Sequence, residues 1–187
     1  MSAAEDDKVR GLLVAGLLVL AGGLLVGAYL MAFPGAAPVS APRKVSTRPA
    51  VPDFSLERLG GGTLNLGSLR GKVVVIDFWA TWCPPCRAEM PWLVKMGQRL
   101  ESRGVVFVAI SEDDPPDQVP LVKEFAREVP GLEKFAVLGN PEIEAQYGVT
   151  SLPTLFIVDR EGLLVKSLVG SAREEAVVGL VERVAGE

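Results

Sequence analysis

Lys72-Val73-Val74-Val75-Ile76-Asp77-Phe78-Trp79-Ala80-Thr81-Trp82-Cys83-Pro84-Pro85-Cys86 is the stretch that decides how this chain folds. Its first part, Lys72 to Phe78, is a continuous β-branched and apolar run, the pattern of a strand buried on both faces. Behind it, Cys86 to Arg103 repeats apolar residues at Met90, Leu93, Val94 and Leu100, a helical spacing. A buried strand that turns into a helix through Trp82-Cys83 puts Cys83 at the helix N-terminus. The free N–H groups and partial positive charge there favour thiolate over thiol, so Cys83 is the expected nucleophile. Cys86 lies one turn further along the same face, close enough for disulfide geometry, and is expected to be the more buried, resolving sulfur.

The neighbouring segments extend the pattern in both directions. Upstream, Asp53 to Leu66 reads as two short strands joined through Gly60-Gly61-Gly62. Downstream, Val105 to Ile110 is a second buried strand, and Val119 to Glu128 a helix that follows an acidic, proline-bearing loop. Phe135 to Leu138 is a short strand and Glu142 to Tyr147 a short helix. Thr154 to Val158 and Leu163 to Leu168 form a hairpin around Asp159-Arg160-Glu161-Gly162, and Ala172 to Val184 closes the chain as an amphipathic helix. Strands alternating with helices and ending in a hairpin predict an α/β fold, a mixed central sheet flanked by helices.

Ahead of this domain the composition changes. The 187 residues are 49% hydrophobic with net charge -4, and the mean hydropathy of +0.31 is high for a soluble domain of this size. The excess sits in Gly11 to Phe33, an uncharged run close to the ~20 residues that cross a bilayer as a helix. That run is longer than the ~7–15 residues of a signal-peptide core, and its best small-x-small site, Val39-Ser40-Ala41, is followed by Pro42. The expected organisation is therefore a short N-terminus (1–10), a retained transmembrane anchor (11–33), a proline-rich linker (34–51) and one folded domain (52–187). Lys8 and Arg10 before the span are balanced by Arg43, Lys44 and Arg48 after it, so charge bias leaves the topology open.

Composition also excludes several functions. The folded domain carries about 14 basic and 20 acidic side chains with no basic cluster, which argues against nucleic acid as a partner. The chain has no histidine, which removes Cys-His and Ser-His catalysis and imidazole metal sites. Its two cysteines cannot complete a four-ligand zinc site, and a bridge across two residues closes almost no loop. A lone Cys-x-x-Cys then reads as redox chemistry, with no cofactor required. Three alternatives remain open: an oxidant that donates its disulfide, a copper(I) metallochaperone using the same thiolates, and a thiol peroxidase. The Pro-x-x-x-Thr-x-x-Cys arrangement of peroxiredoxins is missing, and no methionine or histidine accompanies the cysteines as a copper site would favour.

The residues from Val51 to Glu187 resemble the thioredoxin superfamily, and within it the membrane-anchored TlpA and ResA type. Three motifs carry the resemblance: Asp77-Phe78-Trp79-Ala80-Thr81-Trp82-Cys83-Pro84-Pro85-Cys86, Arg87-Ala88-Glu89-Met90-Pro91, and Tyr147-Gly148-Val149-Thr150-Ser151-Leu152-Pro153-Thr154. It implies a thioredoxin-like fold with an N-terminal β-hairpin extension. It also implies a disulfide reductase working outside the bacterial cytoplasmic membrane, often for cytochrome c maturation. Its partners would be a client protein with a disulfide or thiol pair and a membrane thiol-disulfide electron donor. Dedicated cytochrome c maturation proteins of the CcmG type carry Gly-Val-x-Gly-x-Pro-Glu, whereas this chain has Gly148-Val149-Thr150-Ser151-Leu152-Pro153-Thr154, so no particular client is implied.

The remaining candidate residues surround the cysteines. Glu89 is three residues after Cys86 on the same helical face, placed to accept its proton through a water. Asp77, a charge inside an apolar strand, is a second candidate for that role, because an unpaired buried carboxylate calls for an explanation. By the resemblance, Pro153 holds a cis peptide beside the cysteines and presents the Leu152 backbone to an extended substrate. Trp82, Pro84, Leu152 and Pro153 form the expected substrate-binding rim, with Trp79 either at the groove or in the core. The acidic run Glu112-Asp113-Asp114 lacks a calcium-loop ligand pattern and reads as a solvated loop.

Overall fold

Seven strands and four α-helices appear in the expected order among residues 47–186, the part of the chain that the computed structural model describes. The apolar run is β3 (Val73–Trp79), buried at every position. It lies at the centre of a five-stranded sheet in the order β5-β4-β3-β6-β7, with β4 at Val105–Ser111, β5 at Ala136–Leu138, β6 at Thr154–Val158 and β7 at Leu164–Val169. β4 runs parallel to β3 and β5 parallel to β4, whereas β6 is antiparallel to β3 and β7 to β6. The sheet is mixed, as expected.

Strand alternation sorts the core into two layers. Val73, Val75 and Trp79 face one layer with both cysteines, built by α1 (Pro84–Leu100), α2 (Gln118–Glu128) and α4 (Glu174–Gly186). Val74, Ile76 and Phe78 face the other, covered by α3 (Pro141–Tyr147) and the hairpin of β1 (Ser55–Glu57) and β2 (Thr63–Asn65). The hairpin also covers one sheet edge: Arg58 bridges Val137, and the Leu59 N–H donates to the Ala136 carbonyl at 3.0 Å. This protects β5 from edge pairing.

Some boundaries differ from expectation. The helix after the cysteines stops at Leu100, and Glu101–Arg103 continue as a 3-10 turn. The turn is ended by Gly104, whose φ of 78° suits a residue without Cβ. The last helix begins at Glu174 rather than Ala172, and the Ala172 N–H ahead of it donates to the Glu89 side chain. Contacts of the folded domain begin ahead of the expected boundary at Pro52. Arg48 pairs with Asp159 at 2.6 Å, the Leu164 N–H donates to Pro49 at 2.8 Å, and the Val51 N–H donates to Gly162 at 3.2 Å. In the β3–β6 register Phe78 faces Thr154 at the cysteine end and Val74 faces Val158 at the other. Leu164 pairs with Val158, so the chain enters the domain at the end of the sheet opposite the cysteines. No helix among the described residues is long and apolar enough to cross a membrane. The expected N-terminus (1–10), anchor (11–33) and most of the linker lie outside them.

Candidate active site

β3 delivers the chain to a turn at Ala80–Cys83, where the Cys83 N–H donates to the Ala80 carbonyl at 3.2 Å. Cys83 is the N-cap of α1, with extended backbone (φ -94°, ψ 104°), and Pro84 and Pro85 occupy the first helical positions. Proline suits those positions because its missing N–H would have no intrahelical partner. The first N–H that faces the sulfur is that of Cys86, donated to Cys83 Sγ at 3.3 Å. Cys83 and Cys86 form a disulfide with their Cα atoms 5.3 Å apart. Cys86 is fully buried and Cys83 nearly so, the order expected of resolver and attacker.

Two carboxyl groups are buried in the elements on either side of the cysteine turn, Asp77 in β3 and Glu89 in α1. Asp77 is buried in β3 on the face that carries Val75, Trp79 and Cys86, and neither of its oxygens has a hydrogen-bond partner. Burial first, and the charge of Glu89 second, push its carboxyl well above the ordinary value. The structure thereby brings the two candidate carboxyls into one electrostatic neighbourhood. Glu89 is 6% exposed, and its Oε1 accepts the Ala172 N–H at 2.6 Å. Burial raises its pKa, and the Ala172 N–H and Ser171 hydroxyl offset that only in part. A carboxyl with a raised pKa is a better proton acceptor for a thiol than an exposed one.

The residues expected at the rim differ in exposure. Trp82 is 66% exposed beside Cys83, Pro84 is exposed, and Leu152 is half-buried against the layer that contains both cysteines. The Leu152–Pro153 peptide is cis and Pro153 is buried. Trp79 belongs to the core: it is fully buried against the Phe125 ring, with its indole N–H unpartnered.

The acidic run after β4 is only in part the solvated loop that its composition suggests: Asp114 is exposed, but its two neighbours in the run are not. Asp113 is 3% exposed. Its Oδ1 accepts from the Thr81 hydroxyl at 2.5 Å and the Thr81 N–H at 3.1 Å, and its Oδ2 accepts from the Thr81 N–H at 3.1 Å and the Ser111 hydroxyl at 2.8 Å. Glu112 is half-buried, and its carboxyl is pushed up to about 8 by burial first, then by Glu144 and Asp113. The reason is topological. β3 and β4 are parallel with Trp79 opposite Ser111, so the loops leaving their C-terminal ends meet. Thr81, two residues beyond one strand, meets an acidic residue two beyond the other. That pairing of strand ends is the signal in the sequence that would have placed Asp113.

The AhpC/TSA family matches residues 48–167 of the chain. The chain belongs to that family. Within it, the chain is 31% identical over 134 residues to the thiol-disulfide oxidoreductase ResA of Bacillus thuringiensis (strain Al Hakam), covering 71% of this chain and 75% of that protein. It is 36% identical over 120 residues to the thioredoxin-like protein YneN of Bacillus subtilis (strain 168), covering 64% of this chain and 69% of the relative. Among solved structures, a putative thiol:disulfide interchange protein DsbE from Chlorobium tepidum superposes with a TM-score of 0.67 at 30% identity, covering 75% of this chain and 99% of that one. The fold is thioredoxin-like, and this AhpC/TSA member is a thiol-disulfide oxidoreductase of the ResA/DsbE type, with Cys83 and Cys86 at disulfide distance.

Proposed function

We propose that the protein is a membrane-tethered reductant of disulfides in client proteins outside the cytoplasmic membrane. Cys83 attacks a client disulfide and Cys86 resolves the mixed disulfide. The electrons are restored by a membrane thiol-disulfide donor. Reduction of this kind suits the maturation of c-type cytochromes, whose client cysteines must be free thiols. The apolar run at 11–33 and the proline-rich linker support the tether. Trp82, Pro84, Leu152 and Pro153 form the rim against which the client segment lies.

The observation that carries the direction of electron flow is the setting of the two sulfurs. The first turn of α1 opens with two prolines, so the Cys86 N–H is the donor that faces Cys83 Sγ. Asp77 and Glu89 are both buried, Glu89 on the same helix three residues after Cys86 and Asp77 coupled to it electrostatically, and the chain contains no histidine. Each factor works against the thiolate, the species that strong oxidants of this fold stabilise. Such oxidants lie near -120 mV and thioredoxin near about -270 mV, a gap of ~7 kcal/mol for two electrons. The purified full chain, equilibrated in glutathione or dithiothreitol buffers, is expected to titrate near the thioredoxin value. A potential above about -180 mV would make it an oxidant instead. Labelling of single-cysteine probes in intact cells tests the location. Modification of the catalytic domain only from the cytoplasmic side would overturn the extracytoplasmic assignment.

A further inference from the structure

Asp113 is a charged side chain buried at the mouth of the site, and the exchange chemistry of the cysteines makes no use of it. Burying a carboxylate is costly unless its oxygens are fully hydrogen-bonded. Here they are, and two of the three donors belong to one residue. The backbone N–H and the hydroxyl of Thr81 both point into the carboxylate, and Ser111 supplies the third donor. The Asp113 N–H returns to the Ser111 hydroxyl oxygen at 3.3 Å, which commits the Ser111 proton to Asp113. The loop is held in turn from its own side: Gln118 Nε2 donates to the Ser111 and Gly139 carbonyls, at 3.0 and 3.2 Å. Thr81 is therefore fastened to a rigid body formed by the ends of β4 and β5 and the start of α2.

The position of Thr81 gives this clasp its consequence. Thr81 lies between β3, which is rigid, and Trp82, which stands exposed beside the sulfur. On its other side the Thr81 carbonyl accepts from Arg87 Nη1 at 3.4 Å, a long bond from a guanidinium also engaged with Glu128 and the Phe125 ring. The Asp113 contacts are the shorter and more numerous ones, and bonds to a charged acceptor are the stronger class. We infer that Asp113 is a positioning residue: by clasping Thr81 it fixes the turn that presents Trp82, and so shapes the rim against which a client polypeptide docks. It acts through Thr81 and does not touch the reacting sulfurs. The role requires a carboxylate. An amide has one acceptor oxygen, and its NH2 would face the donors of Thr81 or Ser111.

This inference rests on the reading of Cys83 as attacking sulfur and Trp82 as part of the rim. It predicts a split between large and small substrates, since an aromatic disulfide reagent needs the sulfur but little of the rim. The test uses the full chain, with insulin reduction driven by dithiothreitol for the first substrate and single-turnover reduction of 5,5′-dithiobis(2-nitrobenzoate) for the second. Asp113→Asn should raise KM for insulin about fivefold to tenfold, less than the full effect of losing a bond to a charged group because the loss reaches the client only through Thr81. The kcat value and the small-disulfide rate should stay within about twofold. Thr81→Val should reproduce the KM change, Thr81→Ser should restore it, and the Asp113→Asn/Thr81→Val double variant should be no worse than either single one. An unchanged KM in both single variants, KM losses that multiply in the double variant, or an equal loss on the small disulfide would overturn the clasp. If Asp113→Asn does not fold, the Thr81→Val and Thr81→Ser pair decides alone. Failure of the underlying reading has a different sign: Cys83→Ser would retain turnover.

Discussion

Cys83 and Cys86 divide one exchange between two sulfurs, and replacing one sulfur by oxygen at a time separates their parts. Cys83→Ser should abolish turnover and trap nothing, whereas Cys86→Ser should accumulate mixed disulfides through Cys83, visible on non-reducing gels. Adducts on Cys83→Ser would reverse the order. In the proposed mechanism Glu89, as the ionised form, accepts the Cys86 proton in the next step, and burial raises its carboxyl from the ordinary value. Glu89→Gln should slow steady-state reduction by about tenfold or more near neutral pH, with the fold intact by circular dichroism. The deficit should narrow as pH rises and Cys86 ionises unaided. A constant ratio between pH 6 and 8 would move the proton to Asp77. At this scale the sequence was informative where a residue broke its local pattern, as Asp77 does inside a mostly β-branched apolar run. It was misleading where a residue matched a bland one. Asp113 stands in an acidic, proline-bearing loop, and only the meeting of two parallel strand ends buries it.

Among the elements, α1 connects the chemistry to the core, and it packs closest at a residue that helix propensity disfavours. Gly97 lies in the last turn of the helix, three residues before its end at Leu100, where glycine costs up to roughly 1 kcal/mol relative to alanine. A methyl group there would meet Phe107 Cβ at 2.7 Å and Phe135 Cζ at 3.3 Å. Gly97→Ala should therefore destabilise the protein by about 1–3 kcal/mol despite its better propensity, read as a lower urea midpoint with unchanged slope. An equal or higher midpoint would show that the helix has room to shift. The helix and β3 were legible because apolar spacing records which face is buried. How closely the helix approaches β4 is not recorded in that spacing, and neither is its stop at Leu100, beyond which Glu101–Arg103 tighten into a 3-10 turn that Gly104 ends. The expectation that Leu152 and Pro153 lie beside the cysteines came from family likeness, since no local pattern connects residues 83 and 153.

For the whole molecule, pH is the variable that reports on burial. The Glu112 carboxyl is raised from 4.5 to about 8, chiefly by burial and then by Glu144 and Asp113. A raised acid stabilises the folded state below its unfolded value, and that contribution is lost as pH climbs from 4.5 through about 8. Glu112→Gln should remove this loss, so its urea midpoint should gain on the parent's between pH 5 and 8.5. The gain should be no more than about 1–2 kcal/mol, because the side chain is partly open to water. Parallel curves would show that Glu112 titrates normally. The order of elements and the two-layer core were readable along the chain, because each follows from runs of apolar residues. Where the domain starts was less so: Arg48 to Val51 look like spacer, yet they join the sheet through Asp159, Gly162 and Leu164. That junction sits at one end of β6 and the disulfide at the other, about four residues or roughly 13 Å of strand apart. A bead or surface coupled through the residues ahead of Thr47 would thus grip the domain by its handle. Attachment there lies away from the disulfide end of β6, so covalent capture of clients on an immobilised sample should not be blocked by the attachment itself.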